Sequence, residues 1–231
     1  MAEQVTIKGP DGSFGGYLAK PASGRGPGIV VIQEIFGVNA VMRKTADAYA
    51  AAGFFALVPD LFWRLEPGVE LTDHTEAEWQ KAFDLMKRFD AATGVEDIQA
   101  SLDHLRHLPG CTGKVGAVGY CLGGLLAFLT ATRTDSDASA GYYGVNVQAM
   151  LGEAGAIKKP LMLHIAAKDE YTPPEAREQI IDALAGNPLV TVHVYPGMGH
   201  AFARPDGEHY DRANAGLANG RTTTFFRQHL H

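Results

Sequence analysis

The sequence predicts an α/β fold in which a mostly parallel, eight-stranded sheet is flanked by helices. Short runs of continuously apolar, β-branched residues alternate along the chain with longer segments of helical spacing. Continuous apolarity is typical of strands that are covered on both faces, and the alternation indicates right-handed crossovers between parallel strands. The 231 residues contain no internal repeat, low-complexity segment or long linker, so we expect one domain over residues 1–231.

The first two predicted strands form a hairpin. Residues 5–8 and 14–19 flank the turn Gly9-Pro10-Asp11-Gly12-Ser13, whose composition favours a tight reversal and an antiparallel pair at the sheet edge. The later strands have the short, apolar character described above. They are predicted at residues 28–33, 54–59, 114–118, 160–166 and 190–195.

The segments between these strands have helical spacing and helical composition. The longest stretch without periodicity is residues 63–73, which is long enough to act as a cap beside a pocket. The helices are predicted at residues 39–52, 76–89, 95–108, 122–132, 174–184 and 210–229.

Composition excludes several classes of function. The net charge is −6 and the 20 basic residues are scattered, whereas a nucleic-acid-binding surface needs them concentrated on one face. The longest apolar runs are far shorter than the roughly 20 residues that span a bilayer. The N-terminus has no basic stretch followed by an apolar core. We therefore expect a cytoplasmic monomer with no nucleic-acid or membrane partner.

Metal and disulfide sites are also not expected. Cys111 and Cys121 form no Cys-x-x-Cys pair and are too few for a disulfide framework. His104 and His107 have a ligand-like spacing on a predicted helix, but no nearby cysteine or acidic residues complete a site.

The most specific motif is Gly119-Tyr120-Cys121-Leu122-Gly123-Gly124, directly after one strand and at the start of an apolar helix. It matches the Gly-x-nucleophile-x-Gly turn of the α/β-hydrolase fold, with cysteine where serine is usual. Small residues are needed there because the turn is strained and the helix packs closely behind it. The helix N-terminus favours a thiolate, so Cys121 is the predicted nucleophile. The alternative is a buried structural cysteine.

Two further residues complete a predicted triad. In this fold the chain order is nucleophile, acid, histidine, each beyond the end of a strand. Asp169 follows the strand at 160–166, and His200 follows the strand at 190–195. His200 would exchange a proton with the cysteine, and Asp169 would orient the imidazole. The alternatives are a helix cap for Asp169, a turn residue for His200, and Asp60 as the acid.

Four segments of the chain resemble the dienelactone hydrolase (carboxymethylenebutenolidase) family between about Val5 and Phe226. The resemblance implies hydrolysis of an unsaturated lactone that carries a carboxylate. The product is maleylacetate, formed during bacterial degradation of aromatic compounds, and the reaction uses no metal or organic cofactor. The segments are residues 33–39 (QEIFGVN), 119–124 (GYCLGG), 141–144 (GYYG) and 199–204 (GHAFAR).

Three residues around the predicted triad have expected roles in this chemistry. An enol lactone has a good leaving group, so a thiolate can open it without strong acid catalysis. The backbone N–H groups of Leu122 and Ile35 are expected to hold the oxyanion. Glu34 resembles the family's carboxylate that contacts the resting thiol and helps to deprotonate it.

The expected substrate pocket departs from the family's pattern. Arg204 corresponds to one of two family arginines that bind the lactone's carboxylate, but the other falls at Trp79. Ala201 replaces a common serine, and Phe83 and Met86 replace larger or more polar aromatics. The pocket is therefore expected to be more apolar. The open alternatives are a general carboxylesterase and a non-catalytic ligand-binding protein. The predicted substrate-binding residues are Arg204, Trp79, Phe83, Phe36, Tyr142 and Phe202.

Overall fold

The computed structural model describes residues 2–231, and its centre is one eight-stranded sheet in the order β1-β2-β4-β3-β5-β6-β7-β8. β1 and β2 are antiparallel and lie at one edge, while β4, β3, β5, β6, β7 and β8 run parallel. The strands are β1 Ala2–Lys8, β2 Ser13–Ala19, β3 Gly26–Ile32, β4 Phe55–Pro59, β5 Cys111–Tyr120, β6 Ser139–Tyr142, β7 Leu161–Ala166 and β8 Val190–Tyr195.

Six α-helices and one 3-10 helix flank this sheet. Residues of β3, β4 and β7 are buried throughout, which explains why their sequences are continuously apolar rather than alternating. None of the helices described in residues 2–231 combines the length and apolarity needed to cross a membrane. The helices are α1 Ala40–Ala51, α2 Glu76–Arg88, α3 Ala91–Arg106, α4 Leu122–Arg133, α5 Pro174–Leu184, α6 Arg212–Leu230 and the 3-10 helix Val147–Ala156.

The predicted fold class is confirmed, including the edge hairpin and the parallel arrangement. The main element that the apolar pattern missed is β6, a central strand of only four residues. Its sequence Ser-Ala-Gly-Tyr contains no β-branched residue, so propensity did not mark it. It forms because β5 and β7 supply ladder partners on both sides.

The turn between β5 and α4 brings the backbone into unusually close contact. Cys121 has φ 57° and ψ −115°, a strained conformation for a residue with a side chain. A Cβ on Gly119 would overlap the Gly123 carbonyl, and one on Gly123 would lie 2.5 Å from the Ile32 carbonyl oxygen. The two glycines therefore allow the start of α4 to pack directly against the end of β3.

Replacing the first of these glycines should destabilise the fold. Gly119→Ala forces the elbow backbone apart, so we expect a loss of about 3 kcal/mol in the free energy of unfolding. The matched control is Gly220→Ala in α6, where an added Cβ would meet no atom within 4 Å. There alanine should stabilise the helix by up to about 1 kcal/mol. Urea unfolding of both variants provides the measurement, and equal stability of the two would contradict the close-packing argument.

Candidate active site

Cys121 lies at the carboxyl end of β5, with its backbone held from several directions. Its N–H donates to the Tyr142 carbonyl at 3.1 Å, and its carbonyl accepts from the Gly124 N–H at 2.9 Å. The residue is 9% exposed, and it lines a small cavity. Cys111 begins the same strand, so it lies at the opposite end of β5 from this cavity.

His200 and Asp169 meet beside Cys121. The Nδ1 atom of His200 is 2.9 Å from Oδ2 of Asp169, and both side chains are almost fully buried. The other carboxylate oxygen of Asp169 accepts from the Tyr171 N–H at 2.9 Å. Because Nδ1 is occupied by the carboxylate, Nε2 is the ring nitrogen left for the sulfur of Cys121.

The surroundings of His200 favour its charged form. Burial lowers the pKa of His200, but hydrogen bonds with Asp169 and Cys121 outweigh burial and raise the pKa from 6.5 to about 10. A folded-state pKa above the unfolded value contributes stability that is fully present below about pH 6.5. This contribution is lost as the pH rises towards about 10. The contacts of His200 therefore favour an imidazolium beside the sulfur of Cys121.

Glu34 is a buried carboxylate at the end of β3, and it is 1% exposed. Its Oε2 pairs with Nη1 of Arg204 at 3.3 Å, whereas its Oε1 has no hydrogen-bond partner among the described residues. Arg204 makes a second ion pair, from Nη2 to Oδ2 of Asp73 at 3.1 Å. Burial lowers the pKa of Arg204, but the charges of Glu34 and Asp73 outweigh burial and raise the pKa above its usual value. The guanidinium therefore stays charged.

The cavity, about 100 Å³ in volume, is mainly apolar, with the cysteine and histidine on one side. The Trp79 ring packs edge-on against Phe36 at 5.0 Å and stacks on Phe83 at 5.5 Å between ring centroids. The structure thus brings together most of the predicted pocket residues. The lining residues are Ile35, Phe36, Trp79, Phe83, Met86, Cys121, Val145, Asn146, Tyr171, His200 and Arg204.

Two backbone N–H groups beside Cys121 are available to a ligand. Ile35 lies in the loop after β3, and Leu122 is the first residue of α4. Neither N–H donates to a backbone carbonyl among residues 2–231. Leu122 is expected to be free because the first N–H groups of a helix have no partner within it.

Two predicted pocket residues do not line the cavity. Tyr142 is fully buried and its hydroxyl bonds to Thr222 at 2.7 Å. Phe202 is also fully buried and packs on Tyr195 at 4.7 Å between ring centroids. Successive side chains of a strand point to opposite faces. Tyr142, the last residue of β6, therefore points towards α6, and the next residue, Tyr143, faces the site instead.

The sequence reasoning missed three residues around the site. The Tyr143 ring lies 5.2 Å from the His200 ring, and its buried hydroxyl has no partner among residues 2–231. The Tyr171 ring contacts the same imidazole at 4.8 Å. Asp73 comes from the irregular segment expected to be a cap. The repeated tyrosine of Gly141-Tyr142-Tyr143-Gly144 was the available signal for Tyr143.

The alternative acid, Asp60, is used elsewhere. Its two carboxylate oxygens accept from the Phe62 N–H at 3.1 Å and the Gly68 N–H at 2.7 Å. These bonds hold the turn after β4, and Asp169 is the carboxylate that contacts His200.

Comparison with known proteins shows the family of the chain. Residues 14–230 match the model of the dienelactone hydrolase family. The chain belongs to this family. A relative from Azospirillum brasilense is 52% identical over 96% of each chain. The carboxymethylenebutenolidase of Pseudomonas putida is 40% identical over 97% of this chain and 96% of its own. A crystal structure from Klebsiella pneumoniae, 25% identical, has a TM-score of 0.86 and covers 99% of this chain and 98% of its own.

Membership of the dienelactone hydrolase family shows that the protein is a hydrolase of lactones or esters with the α/β-hydrolase fold. The matched region includes the elbow, the acid and the histidine, and it extends through α6 to Leu230. A small-molecule ester or lactone is therefore the class of substrate.

The charged state of His200 can be measured directly. By side-chain NMR, the imidazole should stay protonated at pH 8, because its pKa is raised to about 10. Asp169→Asn should lower the titration midpoint, because the hydrogen bond and the charge that raise it are lost while burial still lowers it. Cys121→Ala should also lower it. The control is Asp182→Asn, an exposed residue of α5, which should leave the midpoint unchanged. A wild-type midpoint near 6.5 would contradict this reading.

Proposed function

We propose that the protein hydrolyses its substrate through a thioester on Cys121. The thiolate attacks the carbonyl carbon, a carbon–sulfur bond forms, and the bond to the leaving oxygen breaks as His200 donates a proton to it. Water then attacks the thioester, His200 accepts a proton from it, and the thiolate leaves. The observation that carries this proposal is the His200–Asp169 pair at 2.9 Å beside the cysteine.

Glu34 is proposed as the base that helps to form the thiolate. It is buried near the cysteine, and its free Oε1 atom can accept a proton while Oε2 stays paired with Arg204. A carboxylate within reach of a thiol can accept its proton as a general base. Glu34 keeps this proton while the thiolate reacts and returns it to the sulfur after the product has left, so His200 can donate to the leaving oxygen and accept from water.

The oxyanion of each tetrahedral intermediate is proposed to accept from the N–H groups of Ile35 and Leu122. One donor comes from the loop after β3 and the other from the start of α4, so they approach the carbonyl oxygen from two elements. Fixed donors of this kind are worth roughly 3–4 kcal/mol in the transition state. The close packing of α4 on β3 keeps these two elements adjacent.

The first candidate substrate is dienelactone, with maleylacetate as the product. The family resemblance and the name of the Pseudomonas putida relative support it. On this reading the lactone's carboxylate would be bound by Arg204, a cavity residue. The role in aromatic-compound degradation and the cytoplasmic location stay predictions.

The second candidate is an uncharged ester or lactone, which a specific observation favours. Trp79 provides an apolar wall where the family has a second arginine, and it packs with Phe36 and Phe83. Such a wall suits flat, uncharged acyl groups.

Removing the thiol should abolish turnover. Cys121→Ala should lower kcat/KM for p-nitrophenyl acetate by roughly four to six orders of magnitude, because the nucleophile is lost. Cys111→Ala is the matched control and should keep activity. In the wild type, iodoacetamide should label Cys121 before Cys111, as peptide mapping would reveal. Activity in the Cys121→Ala variant, or failure of the wild type to turn over any ester or lactone, would contradict the proposal and favour a ligand-binding protein.

The two candidate substrates can be separated by a change at Trp79. Trp79→Arg supplies the missing cation, so it should raise kcat/KM for dienelactone relative to p-nitrophenyl acetate by roughly 10- to 100-fold. The matched control is Trp79→Phe, which also loses the indole N–H but adds no charge and should not favour the anion. An equal ratio in the two variants would mean that residue 79 does not face the substrate's carboxylate.

A further inference from the structure

Asp73 is a charged residue at the pocket wall that neither the triad nor the oxyanion site uses. Its Oδ2 lies 3.1 Å from Nη2 of Arg204, and its side chain is only 17% exposed. Each terminal nitrogen of Arg204 therefore pairs with a carboxylate, Nη1 with Glu34 and Nη2 with Asp73, while its buried Nε has no partner among residues 2–231. The guanidinium also lies over the Phe36 ring, 5.3 Å from its centroid.

The loop that carries Asp73 is held in place by a helix cap. Thr75 is the N-cap of α2 and accepts from the Glu78 N–H at 3.3 Å. The Glu78 carboxylate reaches back to the N–H and the hydroxyl of Thr72, both at 2.8 Å. The loop is also hydrogen-bonded to the segment after β3 that carries Ile35, because the Leu71 N–H donates to the Phe36 carbonyl at 2.9 Å. The position of Asp73 is therefore set by the fold.

Asp73 also orients the aromatic wall. The indole Nε1 of Trp79 donates to the Asp73 backbone carbonyl at 3.0 Å. One residue thus places the tryptophan through its backbone and neutralises the arginine through its side chain. Both effects act on the same cavity, which Trp79 and Arg204 line.

The charges at this wall do not favour a second anion. Arg204 is one positive charge between two carboxylates, Glu34 and Asp73. His200, the other basic residue lining the cavity, is already paired with Asp169. A substrate carboxylate reaching Arg204 would lie close to the carboxylates of Glu34 and Asp73, and like charges in a poorly hydrated site repel strongly.

We propose that Asp73 is a specificity-determining residue that restricts this hydrolase to substrates whose acyl group carries no carboxylate near Arg204. Arg204 then serves as a polar wall of the pocket, and the substrate class is the uncharged ester or lactone with a flat, apolar acyl group. This inference rests on the proposed hydrolase function and selects the second of its two candidate substrates.

The test uses two esters that differ only in this charge. p-Nitrophenyl crotonate and mono-p-nitrophenyl fumarate share a planar, trans-unsaturated acyl chain and a leaving group, with methyl in one and carboxylate in the other. The wild type should prefer the crotonate. Asp73→Asn should lower the ratio of kcat/KM for the crotonate to kcat/KM for the fumarate by roughly 10- to 100-fold. The main cause should be a lower KM for the fumarate.

A matched control and a double variant test whether the change in ester preference arises from the Asp73–Arg204 pair. Asp84→Asn removes an exposed carboxylate of α2 and should change the ratio by less than about twofold, because a distant exposed charge is screened. Asp73→Asn combined with Arg204→Met should lose the gain for the anionic ester, since that gain requires a free guanidinium. Thermal unfolding of each variant checks that the fold is intact. If Asp73→Asn changes this ratio by less than about twofold from the wild-type ratio, the inference is overturned.

A binding measurement separates this inference from the hydrolase proposal. In the Cys121→Ala protein, methyl crotonate should bind more tightly than monomethyl fumarate, and adding Asp73→Asn should reverse or erase the difference. If the wild type turned over neither ester but this binding pattern held, the catalytic proposal would fail while the role of Asp73 stood. Equal binding of the two esters before and after Asp73→Asn would overturn the role of Asp73.

Discussion

The close packing of α4 against the ends of β3 and β5 is the constraint on which the site depends. Only glycine at positions 119 and 123 lets the helix start so close to the Ile32 carbonyl. This contact places Cys121 in its strained conformation and points the first N–H groups of α4 at the same space. It also keeps the loop after β3, with Ile35, beside the nucleophile. The backbone geometry of the site is therefore a packing requirement of the sheet.

The charged side chains around this backbone are buried, and each lies beside a group of opposite charge. Asp169 is buried, and its oxygens accept from His200 and the Tyr171 N–H. Burial alone lowers the pKa of the imidazole, so the raised value depends on Asp169 and Cys121. Glu34 differs, because one of its oxygens has no partner among the described residues. An unpaired buried oxygen costs free energy, and such a cost is typically retained where the group reacts.

The proposed control of specificity lies in the segment between β4 and α2, outside the sheet and the elbow. Asp60 holds the turn after β4 through two N–H bonds, and the cap at Thr75 fixes the start of α2. Asp73 lies between these anchors and pairs with the cavity residue Arg204, and Trp79 lines the cavity from α2. Because the segment contributes no nucleophile or base, its sequence can change the charge of the pocket while the catalytic geometry stays the same.

The fold class, the hairpin, and the meeting of Cys121, Asp169 and His200 could be predicted from sequence pattern, because strand ends in a parallel sheet share one edge. It did not determine β6, whose four residues pair only because their neighbours are already in place. It also assigned Tyr142 and Phe202 to the pocket, where the structure packs both in the core. The contact between Asp73 and Arg204 joins residues far apart in sequence. These features require the three-dimensional structure, because the direction of a side chain at a strand end and pairing across loops depend on packing rather than on local pattern.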